Sequence, residues 1–184
     1  VRRADTRAQD LIRQGRGYVP AQRRKLLGLV AEVLAGIVPR YRALATAGRI
    51  ELSVTPYGHP ILPLLFDFGA ARESQPGAAL PRHAEYPGGD DRATWHMAEA
   101  IRVFTEVFGF APGGCWPSEG AVSDAALALI DRFGLRWAAT SGNVLQNSLA
   151  AQPNGPVRRD APYRMPGQQL TCFFRHDGLS DAIG

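Results

Sequence analysis

The chain has 184 residues, 45% hydrophobic, 21% charged and 9% aromatic, which suffices for one domain with a core and excludes wholesale disorder. No apolar run reaches membrane-spanning length, since the stretch from Leu26 to Val38 is interrupted by Glu32 and followed by Pro39. The Arg-rich N-terminus lacks the apolar segment of a signal peptide, and two cysteines make no disulfide framework, so a reducing, cytoplasmic setting is expected.

The formal net charge of +4 is unevenly spread: eight basic and two acidic residues stand in the stretch through Lys25, leaving −2 for the remainder. This marks residues 1–19 as a basic arm. Such an arm could attract nucleic acid or an acidic surface. Only Tyr18 interleaves with the cations, however, so a solvated Arg-rich helix is favoured and no nucleic-acid partner is expected.

A helix is expected over 20–46. Leu26, Leu29, Val30, Val33, Leu34 and Ile37 follow helical spacing, continued by Tyr41 and Leu44. Pro20 suits its first turn, Pro39 should kink or split it, and Gly48 marks its end. Residues 50–54 read as a strand running into a turn over 55–60, enforced by Pro56, Gly58 and Pro60. Residues 73–92, rich in Gly, Pro and charge, read as a long surface loop of the kind that serves as a lid or binding loop.

A second helix is expected over 92–108, with Met97, Ile101, Phe104 and Phe108 on one face and Gly109 closing it. A short strand follows at 114–116, then Pro117-Ser118-Glu119-Gly120. A helix over 121–133 should turn Val122, Ala125, Ala126, Leu129 and Ile130 inward, with Gly134 as its cap. Strands are expected over 135–140 and 170–174. Strands alternating with helices predict an α/β fold with a parallel sheet. A full (β/α)₈ barrel needs roughly 250 residues, so the chain reads as a fragment of a larger barrel.

In parallel α/β folds, chemistry sits just past the carboxyl ends of the strands. Three stretches occupy that position: Thr55 to His59, Trp116 to Glu119, and Arg175 to Asp181. Glu119, placed between a strand and the N-terminus of the helix expected at 121, is a candidate nucleophile kept ionised by the helix dipole. From position alone the reading as a helix-capping acid with no chemistry is favoured. Trp116 offers a flat surface for a sugar ring or base, or core packing. His59, fixed beside prolines, could bond a substrate hydroxyl or serve as an acid or base, or be purely structural. Arg175, Asp177 and Asp181 form either an active-site ion-pair cluster or a loop brace. The four histidines show no metal-binding spacing. Cys115 has no base near it in sequence and reads as a buried thiol.

These stretches resemble glycoside hydrolase family 57. The resemblance rests on the segments Glu51 to Leu65, Gly114 to Ser123 and Phe174 to Gly184, in that order, and covers residues 49–184. It implies part of an incomplete (β/α)₇ TIM-like barrel with parallel strands. It also implies a retaining hydrolase or glucanotransferase acting on α-glucans such as starch, glycogen or maltooligosaccharides, with no cofactor, metal or membrane partner. By this resemblance Glu119 is the catalytic nucleophile. His59 and Trp116 line the sugar site, and Arg175 and Asp177 bind substrate, although the family more often has Asp at the position of His176.

Two departures stand out. The His-Gln-Pro tripeptide of the family's first strand is absent. The acid/base aspartate is expected beyond Gly184, with Asp177 as a fallback. A retaining enzyme needs two carboxyl groups about 5–5.5 Å apart, so the fragment alone is expected to be inactive. The alternatives are a non-catalytic carbohydrate-binding or regulatory barrel module and, disfavoured by the missing ligand spacing, a metal-dependent deacetylase.

Overall fold

A computed structural model describes residues 5–83, 85–150, 158 and 160–183. The chain divides into two compact units, Val1–Ile50 and Glu51–Gly184. The boundary falls after the long helix, well beyond the basic arm.

The first unit is helical. Asp5 caps α1 (Thr6–Gln14), its carboxylate accepting from the Arg7 amide at 2.9 Å. The Arg7 guanidinium also bridges Asp5 and Glu32. The middle of the expected basic arm, nine residues, is therefore helix, while its residues 1–4, with Arg2 and Arg3, lie outside the described residues. The second helix, α2 (Pro20–Thr46), begins and ends where the apolar spacing and Pro20 place it. It runs unbroken through Pro39, against expectation. Proline there removes one donor to the Ala35 carbonyl, and Ala35 and Gly36 are exposed, so water can take the acceptor. The expected apolar face is mostly open: Leu29 is buried, whereas Leu26, Leu34, Ile37 and Tyr41 are exposed.

The second unit holds a five-stranded sheet in the order β1-β2-β3-β5-β4. Strands β1 (Ser53–Val54), β2 (Gly114–Cys115), β3 (Trp137–Ser141) and β5 (Thr171–Arg175) pair in parallel. β4 (Tyr163–Arg164) adds an antiparallel edge. The parallel strands are the four expected ones. The edge strand was not legible, because two residues show no alternation. Register aligns Val54, Cys115, Ala138 and Cys172 in one row, all buried. That face packs on Ala93, Met97 and Phe104 of α5 (Gly89–Phe108) and on Ala126, Leu129 and Ile130 of α6 (Asp124–Arg132). The opposite face carries Trp137 against Phe173, edge-on at 6.4 Å.

The helical readings need three corrections. The segment 73–92 is not one loop, because α4 (Ala71–Ser74) and α5 occupy its ends. Gly88 takes a left-handed conformation (φ 64°), and a Cβ on Gly89 would lie 1.7 Å from the Leu65 carbonyl oxygen. The glycine pair thus lets the helix start against a neighbouring backbone, with Asp90 and Asp91 at its positive end. The helix expected from 121 starts at Asp124, because the Ser123 hydroxyl accepts from the Ala126 amide and caps it there. Consequently Ala125 faces solvent and Leu127 is buried. Three helices went unread: α3 (Leu62–Phe66), α7 (Gly142–Ala150) and α8 (Asp177–Ile183).

Candidate active site

Because four strands are parallel, the segments following β1, β2, β3 and β5 all emerge on one edge of the sheet. The turn after β1 holds His59, and a 3₁₀ turn after β2 (Ser118–Gly120) holds Glu119. The His59 Nε2 lies 3.0 Å from Glu119 Oε1, so with the ring proton on Nε2 the imidazole donates to the carboxylate. Both side chains are open to solvent, at 54% and 75% exposure, which leaves room for a ligand above the pair.

His59 (φ 59°) and Glu119 (φ 56°) are the only non-glycine residues with positive φ among the described residues. Each such conformation costs on the order of 1–3 kcal/mol and persists only where surroundings impose it. Here the surroundings are identifiable. The Thr55 hydroxyl donates to the Trp116 carbonyl at 3.0 Å, and the buried Thr140 hydroxyl of β3 donates to the Gly120 carbonyl at 2.5 Å. The segment bearing Glu119 is thus tied on one side to the residue following β1 and on the other to β3. The His59 turn is tied through Tyr57, whose amide donates to the His96 carbonyl at 3.1 Å.

Glu119 stands five residues before α6, whose cap is Ser123. The capping-acid reading is therefore wrong, and so is the proposed help from the helix dipole, which fades beyond the first turn. Trp116 is half-buried, and the Arg175 guanidinium lies 6.0 Å over its ring. Arg175 Nε also donates to Asp177 Oδ1 at 2.8 Å, and the Asn143 amide at the start of α7 donates to Oδ2 at 3.1 Å. Burial alone would raise the Asp177 carboxyl. The Arg175 hydrogen bond, the Asn143 and Gly142 amides and the Arg175 charge outweigh it and hold the group below the ordinary aspartate range. Asp181 is exposed on α8 and takes no part in this ion pair.

The structure therefore brings together His59 with Glu119, and Trp116 with Arg175 and Asp177. Sequence reasoning missed the two threonine hydroxyls. A threonine at a buried position of β3 was the available signal for one of them. A cavity of about 300 Å³ is lined by Ile61, Leu64, Ala121, Val122, Val144 and Asn147, two residues along the chain from each member of the His59–Glu119 pair. Cys115 is no competing nucleophile, since burial pushes its thiol up to about 12. Among the described residues, no group of three or more His, Cys, Asp or Glu is arranged to hold a metal ion, and no helix is long and apolar enough to cross a membrane.

Fold and site define a parallel α/β barrel protein with a carboxylate–imidazole pair on the carboxyl edge of its sheet. The chain belongs to glycosyl hydrolase family 57, whose family model matches residues 30–184. The solved structures similar to it include two family 57 branching enzymes from hyperthermophilic archaea. One, from Thermococcus kodakaraensis, in complex with glucose and additives, is 18% identical with a TM-score of 0.53, over 83% of this chain and 28% of that one. The other, from Pyrococcus horikoshii, is 18% identical with a TM-score of 0.51, over 83% of this chain and 26% of that one. The chain thus spans about a quarter of the length of those enzymes, and its sheet is part of an incomplete (β/α)₇ barrel. No curated protein matches the sequence.

Proposed function

We propose that the protein carrying this chain is a retaining hydrolase or glucanotransferase acting on α-glucans, and that Glu119 is its nucleophile. The observation that carries this reading is the contact of His59 Nε2 with Glu119 Oε1, made by two residues both in left-handed conformations.

The chemistry follows from that geometry. A Glu119 oxygen attacks C1 of the sugar as the bond from C1 to the glycosidic oxygen breaks. A second carboxyl group gives its proton to the leaving oxygen. The resulting ester is broken when water, or a hydroxyl of a second glucan, loses a proton to that second group and attacks C1. Glu119 leaves as a carboxylate. The imidazole of His59 holds the attacking carboxylate in one orientation throughout. Trp116 and Arg175 bound the sugar site on the neighbouring strand ends.

The second carboxyl group lies beyond Gly184 in this proposal. Asp177 is held ionised by Arg175 and so has no proton to give while that ion pair stands. General acid–base help contributes about 10²–10⁴-fold, so the isolated chain should turn over glucans barely or not at all.

The test uses the whole protein with maltooligosaccharides. Glu119→Gln should lower kcat by about 10³-fold or more, and unchanged turnover removes Glu119 from the mechanism. No turnover by the unsubstituted whole protein favours a carbohydrate-binding module instead. Asp177→Asn should be partly active. If it is inactive and azide rescues it, Asp177 is the acid and the proposed position beyond Gly184 is wrong.

A further inference from the structure

We propose that Trp95 and Tyr57 form a stacking platform for a glucose unit of the glucan chain, at a distance from the bond being broken. The inference rests on the α-glucan reading above and adds a binding site to it.

Tyr57 and Trp95 belong to separate segments, the turn after β1 and the first half of α5, and their rings meet edge-to-face at 5.8 Å and 88°. Two backbone-directed bonds fix the pair. The Tyr57 amide donates to the His96 carbonyl at 3.1 Å, and His96 Nδ1 donates back to the Tyr57 carbonyl at 2.5 Å. The His96 ring also lies against Trp95, centroids 5.0 Å apart. The aromatic faces are thus held in position by the same strut that anchors the His59 turn.

Yet the rings are not buried. Trp95 is 53% exposed and Tyr57 44%, and neither the indole N–H nor the phenol O–H has a partner among the described residues. Two large rings in edge-to-face contact, open to solvent and each with an unused polar edge, form a surface that lacks the partner or cover such groups ordinarily find. A pyranose ring suits it: its C–H face packs on the indole, and its hydroxyls meet the free N–H and O–H. Tyr57 is two residues before His59, so the platform begins within about 7 Å of chain from the imidazole that touches Glu119. A sugar there belongs to the same glucan as the one attacked, not to a separate molecule. The platform therefore favours long chains over short ones.

The experiment takes the whole protein with Glu119→Gln, so that bound glucan is not consumed, and measures maltose and maltoheptaose binding by calorimetry. Adding Trp95→Ala should weaken maltoheptaose about three- to tenfold, the size of a lost aromatic contact. It should leave maltose unchanged, and Trp95→Phe should restore most of the loss. A second measurement needs no variant at position 95: maltoheptaose, but not maltose, should shield Trp95 from N-bromosuccinimide, read by peptide mass spectrometry.

Equal maltoheptaose affinity with and without Trp95 overturns the platform. So does a Trp95 that resists oxidation in the sugar-free protein, since another part of the protein then covers it. Wild-type turnover by Glu119→Gln overturns the nucleophile assignment only, and the loss at Trp95 is then read as about a three- to tenfold rise in KM for maltoheptaose.

Discussion

At Glu119 and His59 the backbone is held where side chains raise its energy, and that makes a sharp test possible. A left-handed conformation penalises any Cβ by about 1–2 kcal/mol. Glu119→Gly should therefore be more stable than Glu119→Ala by about 1 kcal/mol, the reverse of their order at most positions, as urea unfolding would show. Both variants should be equally inactive. The same logic recommends His59→Asn, because asparagine tolerates φ near +60° and keeps a donor. It should retain more kcat than His59→Ala, for which a loss of about 10²-fold is expected. Thr140 acts through position alone. Thr140→Val keeps the shape and leaves the Gly120 carbonyl without its hydroxyl donor, which should cost about 1–2 kcal/mol. It should also lower kcat with little change in KM, because the turn it steadies carries Glu119.

At the level of elements, the sheet depends on polar anchors that hydrophobic periodicity does not reveal. Asp131, at the end of α6, accepts from the amides of Gln169 and Leu170 at 3.0 and 2.8 Å. It thereby holds the start of β5 to that helix. Asp131→Ala leaves both amides unpaired and should cost about 2 kcal/mol. Hydrogen exchange at Leu170 should accelerate before that of β3. At the other side of the sheet, a Cβ on Gly114 would fall 2.1 Å from the Trp137 ring. Gly114→Ala must therefore push the indole away from the Glu51 carboxylate, to which its N–H donates at 2.6 Å.

At the level of the whole second unit, that Glu51 carboxylate gives the stability a pH dependence. The Trp137 hydrogen bond lowers its pKa, burial opposes this, and Arg136 adds to the lowering. A depressed carboxylate stabilises the fold above its unfolded value, near 4.3, and loses that contribution as pH falls through the lower folded value. The group is half-exposed, so water screens the effect to about 0.5 kcal/mol. Melting curves of wild type and Glu51→Gln should differ at pH 6 and converge toward pH 3.

Sequence alone determined the places of the longer helices and of the four parallel strands and the segments from which the site is built, because apolar spacing, glycine stops and prolines act within a few residues. The match of α2 to 20–46 and of the four parallel strands to their expected places follows from that. Tertiary structure decided what those segments do to one another. Only the pairing of β1 with β2 brings His59 to Glu119 across 60 residues of chain. Likewise, only the approach of α7 to the end of β5 lets the Asn143 amide donate to Asp177 and join Arg175 in holding it ionised. The His59–Glu119 and Asn143–Asp177 contacts join residues 60 and 34 positions apart in sequence, and no local pattern encodes a distance through space.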